Sequence, residues 1–187
     1  MASAAHESLH GTYLKQTFPF SQSDHVKVLL SEEQIRQRVD AVAADIAQAY
    51  AGQPLTIVGV LTGCLVFLAD LIRRLDLPLR IALVQASSYR GTATTAGELH
   101  IQDELLPELK GRHILLIDDI LDTGKTLRHM VGHLEKLGTA SVRTAVLLRK
   151  IGRQQVAIEP DFVGFSIPNE FVVGYGLDFD DEYRSLP

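Results

Sequence analysis

An α/β fold with a mainly parallel sheet is what this sequence predicts, and three observations predict it. Mainly apolar stretches recur at 55–61, 79–86, 114–117 and 142–148, and 114–117 has no polar alternation, as expected of a strand covered on both faces. Helical periodicity fills two of the gaps, as Leu65, Leu68, Ile72 and Leu75, and as Leu127, Met130, Leu134 and Leu137. Glycine stands where a strand passes into a helix, at Thr62-Gly63 and at Thr123-Gly124.

The elements follow in order. Residues 1–25 are rich in Ser, His, Gln and Thr, and they show no helical period. They read as a weakly structured or extended N-terminal extension, with Tyr13, Phe18 and Phe20 available to pack on the body. Ser31 and Gln34 form a capping box. The helix it opens buries Ile35, Val39, Val42 and Ile46 and runs to about Tyr50, before Gly52-Gln53-Pro54 stops it. A strand at 55–61 then turns at Thr62-Gly63 into the second helix. After the strand at 79–86 comes Ser-Ser-Tyr-Arg-Gly-Thr-Ala-Thr-Thr-Ala-Gly, with little to bury and two glycines for hinges. A strand at 114–117 leads to a third helix, ended by Gly138. Strands at 142–148, 161–165 and 170–174 complete the chain. This alternation implies a Rossmann-like parallel sheet flanked by helices. In such sheets ligands lie beyond the carboxyl ends of the strands, where the loops after Leu61 and Ile117 fall.

Composition narrows the function. The 187 residues suit a single domain, and 46% hydrophobic with 22% charged is ordinary for a globular protein. Net charge is −5, and Lys and Arg never cluster beyond two in a row, which argues against a nucleic-acid partner. No apolar stretch is long enough for a membrane span, and the start lacks the basic-then-apolar order of a signal peptide. The single cysteine, Cys64, cannot form an internal disulfide; it fits a cytoplasmic chain and reads as a small buried residue. His129 and His133 stand four apart on the third helix without an evident third ligand, so they read as a solvated face.

The densest chemistry lies at 114–126, Ile-Leu-Leu-Ile-Asp-Asp-Ile-Leu-Asp-Thr-Gly-Lys-Thr. Adjacent carboxylates, Asp118 and Asp119, stand where the apolar run ends. Asp122-Thr123-Gly124-Lys125-Thr126 offers successive amide donors at a helix N-terminus, an anion site. Carboxylates accept from sugar hydroxyls and amides donate to phosphate, so one loop suits a ribose diol carrying a 5-phosphate. A nucleoside-triphosphate P-loop would need glycine five positions before Gly124-Lys125, where Asp119 stands.

This run resembles the phosphoribosyl-diphosphate (PRPP) loop of type I phosphoribosyltransferases. The segment Ile-Pro-Asn-Glu-Phe-Val-Val-Gly-Tyr-Gly-Leu-Asp at 167–178 resembles the purine-binding hood of their hypoxanthine-guanine members. The resemblance covers about Val26 to Pro187. It implies one domain at 26–187, with a core at about 31–150 and a hood at about 151–187; the extension at 1–25 is then weakly structured or associated with the hood. It implies purine salvage: transfer of phosphoribosyl from PRPP to hypoxanthine or guanine, giving IMP or GMP and pyrophosphate with Mg2+. By the resemblance Asp122 is the general base. Asp118 and Asp119 hold the ribose diol; Thr123, Gly124, Lys125 and Thr126 hold the 5-phosphate. Thr62 and Gly63 form the pyrophosphate loop, with a cis peptide at Leu61–Thr62, and Arg184 meets the pyrophosphate. Lys150 reads the 6-oxo group, Phe171 stacks on the base, Val172 reads its edge through the backbone, and Ile120 joins this purine site. Ser88 and Tyr89 belong to a lid that excludes water from an oxocarbenium-like centre. Asp178 coordinates magnesium, with Asp118 and Asp119 as further metal candidates. Arg153, nearby, is a candidate phosphate contact. Thr62 stands where the family often has lysine, and Asp118 where many members have glutamate. The resemblance further implies a homodimer or homotetramer. Two other readings are a xanthine-preferring enzyme and a PRPP-sensing RNA-binding regulator on the same fold.

Overall fold

The computed structural model describes residues 12–14, 27–88, 99–103 and 106–187. Its elements are β1 (Thr12–Leu14), β2 (Lys27–Leu30), α1 (Glu32–Ala49), β3 (Leu55–Leu61), α2 (Leu65–Ile72), β4 (Leu79–Ser88), β5 (Leu99–Gln102), β6 (His113–Leu121), α3 (Lys125–Lys136), β7 (Ser141–Lys150), β8 (Phe162–Ile167) and β9 (Val172–Val173).

The main sheet has six strands in the order β5-β4-β3-β6-β7-β8. All neighbours run parallel except β5, which pairs antiparallel with β4. The apolar run at 114–117 is buried along its whole length because both faces of β6 are covered. Leu115 and Ile117 enter one core with Ile35, Val39 and Ile46 of α1 and Phe67 and Leu71 of α2. Ile114 and Leu116 enter the other, with Leu127, Met130 and Leu134 of α3. The capping box at the start of α1 forms in both directions: Ser31 Oγ accepts from the Gln34 amide at 3.2 Å, and Gln34 Oε1 accepts from the Ser31 amide at 2.8 Å.

Topology places the site. From β3 the chain leaves through α2 to β4 on one side; from β6 it leaves through α3 to β7 on the other. The crevice at this reversal opens between the ends of β3 and β6. The strand at 114–117 also runs further than its apolar pattern, to Leu121. Pairing with β3 stops at Gly59↔Ile117, whereas pairing with β7 continues through Asp118↔Val146, Ile120↔Leu148 and Leu121↔Arg149. Asp118 and Asp119 therefore lie within a strand, where its neighbour on one side has departed.

A second sheet, β2-β1-β9, is antiparallel, with Tyr13 opposite Val173 and Leu14 opposite Val172. Thr12–Leu14 thus form its central strand, which the composition of 1–25 did not disclose. Strand β5, closing the hairpin after β4, was likewise not separable from the loop before it.

Candidate active site

Two adjacent carboxylates sit at the floor of the crevice. Asp118 Oδ1 accepts from the Asp119 amide at 3.0 Å, and Asp119 Oδ1 accepts from the Ile120 amide at 2.7 Å. Burial pushes the Asp118 carboxyl well above the usual carboxylate range, and the neighbouring charge of Asp119 pushes it further. Asp119 is raised too, again by burial, and is partly relieved by its hydrogen bonds and the charge of Arg184. Such a pair gains from a ligand that brings hydrogen-bond donors or a cation.

The turn that follows starts α3 at Gly124, whose φ of +82° is left-handed. Asp118, Ile120, Asp122, Thr123, Gly124 and Thr126 line one small pocket of 70 Å³. Lys125 is exposed at the first turn of α3, and its amide lies 3.5 Å from Thr123 Oγ1. Lys150, at the end of β7, brings Nζ to 3.7 Å from Asp122 Oδ2. Arg153 donates Nε–H to Asp122 Oδ1 at 2.9 Å. Arg153, a candidate phosphate contact from the sequence, is thus engaged by the Asp122 carboxylate.

On the other wall, the Leu61–Thr62 peptide is cis. Gly63 touches the carboxylates so closely that a Cβ would overlap Asp119 Oδ2. Gly176 (φ +99°) in turn lies against the Gly63 carbonyl, where no Cβ would fit. Thr62 is exposed. Cys64 is fully buried behind this loop, and burial with the charges of Asp118 and Asp119 pushes its thiol up to about 12. It is a packing residue with no thiolate to offer near neutral pH.

The C-terminal segment folds back over the crevice. Arg184 donates to the Gly176 carbonyl at 2.8 Å and to Asp181 Oδ1 at 3.3 Å, and it forms an ion pair with Asp178 Oδ1 at 2.8 Å. Asp178 Oδ2 accepts from the Asp181 amide at 3.0 Å. Positive φ at Tyr175, Asp180, Asp181 and Tyr183 marks this stretch as tightly turned. Phe171, half-buried, meets Phe179 edge to face with centroids 5.7 Å apart. Val172 is buried in β9. Ser88 ends β4, while Tyr89 lies outside the described residues.

Among the described residues no three His, Cys, Asp or Glu side chains gather as a cage, so Asp178 and the Asp118–Asp119 pair are not one cluster. His133 bonds Asp103 Oδ2 at 2.7 Å, joining α3 to the end of the β5 hairpin, rather than facing solvent alone. A larger pocket of 390 Å³ lies between α1, α2 and the C-terminus. It shares Arg184 with the site, but its Arg74 and Arg36 are already paired with acids.

The sequence signals for Asp118 to Thr126 were local and the fold assembles them. Three features had no local signal: Arg153 on Asp122, Gly176 on Gly63, and Tyr175 O–H donating to Asp70 Oδ2 at 2.6 Å.

Known proteins resemble this chain in sequence and in fold. Residues 25–180 match the family model of the phosphoribosyl transferase domain. The hypoxanthine-guanine phosphoribosyltransferase of Streptococcus pneumoniae is 39% identical over 166 residues, 89% of this chain and 92% of that one. A solved hypoxanthine phosphoribosyltransferase from Staphylococcus aureus superposes with a TM-score of 0.81 at 40% identity, covering 86% of this chain and 88% of that one. One from Trypanosoma cruzi, in complex with the product IMP, superposes with a TM-score of 0.77 at 34% identity, covering 95% and 91%. Matched by sequence and by fold over most of its length, the chain belongs to the phosphoribosyl transferase domain family, among its hypoxanthine-guanine phosphoribosyltransferases.

Proposed function

We propose that this enzyme transfers the phosphoribosyl group of PRPP to hypoxanthine or guanine, yielding IMP or GMP and pyrophosphate in purine salvage. One observation carries the reading beyond family membership. The base candidate Asp122, in the turn after β6, and the 6-oxo reader Lys150, at the end of β7, stand 3.7 Å apart.

In this reading Asp118 and Asp119 accept from the ribose hydroxyls, and the Thr123–Thr126 amides and hydroxyls hold the 5-phosphate. The purine nitrogen attacks C1 as the bond to pyrophosphate breaks. Asp122 takes the proton leaving N7. Its carboxylate also faces the developing cationic sugar. Lys150 donates to the 6-oxo group; adenine, which offers an amino group there, would leave the ammonium unpaired. Phe171 covers the base and the Val172 backbone reads its edge. Arg184, paired with Asp178 and bonded to the Gly176 carbonyl, turns to the pyrophosphate, and the amides at Thr62-Gly63 contact it without a cationic side chain. The Ser88-Tyr89 segment closes over the centre.

The donor set fits Mg2+. Two crowded, half-buried carboxylates and a separate Asp178 suit an ion that would take one or two protein ligands and complete its shell with substrate oxygens and water. Bound there, magnesium would neutralise the diphosphate as it departs. Asp178 would then exchange its bond from Arg184 for the ion. We further place the enzyme in the cytoplasm as a homodimer or homotetramer, free of membrane and nucleic-acid partners. Among the described residues no helix is long and apolar enough to cross a membrane.

The test is nucleotide formation from PRPP and Mg2+ with hypoxanthine, guanine, xanthine and adenine supplied separately. Turnover of hypoxanthine or guanine, with adenine inert, is expected. Turnover of xanthine alone would overturn the specificity and leave the mechanism. PRPP binding without turnover of any base would favour the regulator.

A further inference from the structure

We propose that Arg153 is a positioning residue that selects which oxygen of Asp122 receives the proton; this rests on Asp122 being the general base. After β7 ends at Lys150, the chain turns at Gly152, with φ +73°. The turn is tied down on two sides. The Ile151 amide donates to the Ile167 carbonyl of β8 at 2.9 Å, and the Gln155 amide donates to the Thr123 carbonyl at 2.9 Å. The second bond docks the turn on the Asp122-Thr123 loop itself. Just beyond, Val156 and Ile158 pack over Gly124, 3.0 and 2.9 Å from where a Cβ would stand.

Held this way, Arg153 reaches Asp122 Oδ1 at 2.9 Å, while Lys150 faces Oδ2 from 3.7 Å. Two cations from one stretch of chain thus address the two oxygens separately. The bond to Oδ1 is charge-assisted and within ordinary length, so it fixes the direction of the carboxylate and commits that oxygen. Oδ2 is left as the acceptor, on the side where Lys150 meets the 6-oxo group. The balance of the step follows. N9 of the purine bonds to C1, the pair of the C1–O bond leaves with pyrophosphate, and the N7 proton passes to Oδ2. In the proposed arrangement Arg153 acts through Asp122 rather than on either substrate. Its side chain is 46% exposed, so the pair adds little to folding and its loss leaves the fold intact.

Arg153→Gln, Arg153→Lys and Asp122→Asn, with the double variant Asp122→Asn/Arg153→Gln, test this in steady state with PRPP, Mg2+ and hypoxanthine, alongside thermal unfolding. Arg153→Gln should lower kcat roughly tenfold by loosening the acceptor, with KM for PRPP and Tm unchanged. Arg153→Lys should recover most of that loss. In the double variant the Arg153 change should add nothing, because the two residues act as one unit. A raised KM for PRPP with kcat intact would make Arg153 a phosphate contact and overturn the proposal. So would an unchanged kcat in Arg153→Gln, or losses that multiply in the double variant. Normal turnover by Asp122→Asn alone would remove the base assignment itself, an outcome distinct from an Asp122-dependent reaction indifferent to Arg153.

Discussion

Asp118 and Asp119 show how a residue is held against its own preference. Both are acids in a strand whose neighbours are apolar, and burial raises both. A carboxyl whose pKa is higher folded than unfolded binds more protons in the folded state. Its charge therefore destabilises the free protein increasingly as pH rises from the ordinary carboxylate range through the raised value of Asp118. Asp118→Asn keeps an acceptor for the Asp119 amide and removes that penalty. The variant should melt higher than the parent at neutral pH without ligand, with a flatter dependence of Tm on pH, and should bind PRPP more weakly. Calorimetric melting across pH with a PRPP titration checks both; a lower Tm at neutral pH would mean that the charge is satisfied in the free protein. In the proposed reading, binding energy from ribose and magnesium would offset the cost of crowding these two carboxylates.

At the scale of elements, the site is a meeting of strand ends and glycines. β6 runs past its last pairing with β3 by the stretch that carries Asp118 to Leu121, and the turn after β3 brings Gly63 against Asp119. Gly63→Ala would drive a Cβ into Asp119, so that carboxylate must move. We expect a loss of about 1–3 kcal/mol in stability from the forced fit, together with a rise in KM for PRPP; thermal unfolding and steady-state kinetics would show it, and an unaffected KM would detach Asp119 from PRPP. Much of this scale was legible in the sequence. The stripes Ile35-Val39-Val42-Ile46 and Leu127-Met130-Leu134 and the unbroken run at 114–117 are buried as read, whereas Leu137 at the end of α3 and Leu65 at the start of α2 are exposed, and α2 buries Phe67, Leu68 and Leu71 instead. The turn at 122–126 was legible because its chemistry is contiguous. The end of β6 was not, because its polar residues are held in the strand by β7 alone. Strand β1 paired with β9, Arg153 on Asp122 and Gly176 on Gly63 are contacts between distant segments, which no local pattern encodes.

For the whole molecule, one question is what joins the C-terminal segment to the sheet. Tyr175 is nearly buried, and its hydroxyl donates to Asp70 on α2 at 2.6 Å. Burial, then this bond, pushes the phenol far above its usual range, so it stays a donor at any working pH. Tyr175→Phe should cost about 1–2 kcal/mol, since Asp70 keeps Arg74 nearby and some solvent. Because the same segment carries Asp178 and Arg184, kcat/KM for PRPP should fall more than that for the base. Equal falls would mean that the hood and the diphosphate wall move together. The central claim, that the carboxylate after β6 moves the proton in a phosphoribosyl transfer, is tested most directly by IMP formation from PRPP, Mg2+ and hypoxanthine, with Asp122→Asn beside the parent. The parent should form IMP, and the variant should bind PRPP with unchanged Kd while turning over roughly 10²–10⁴-fold more slowly. Near-parental turnover by Asp122→Asn would contradict the account.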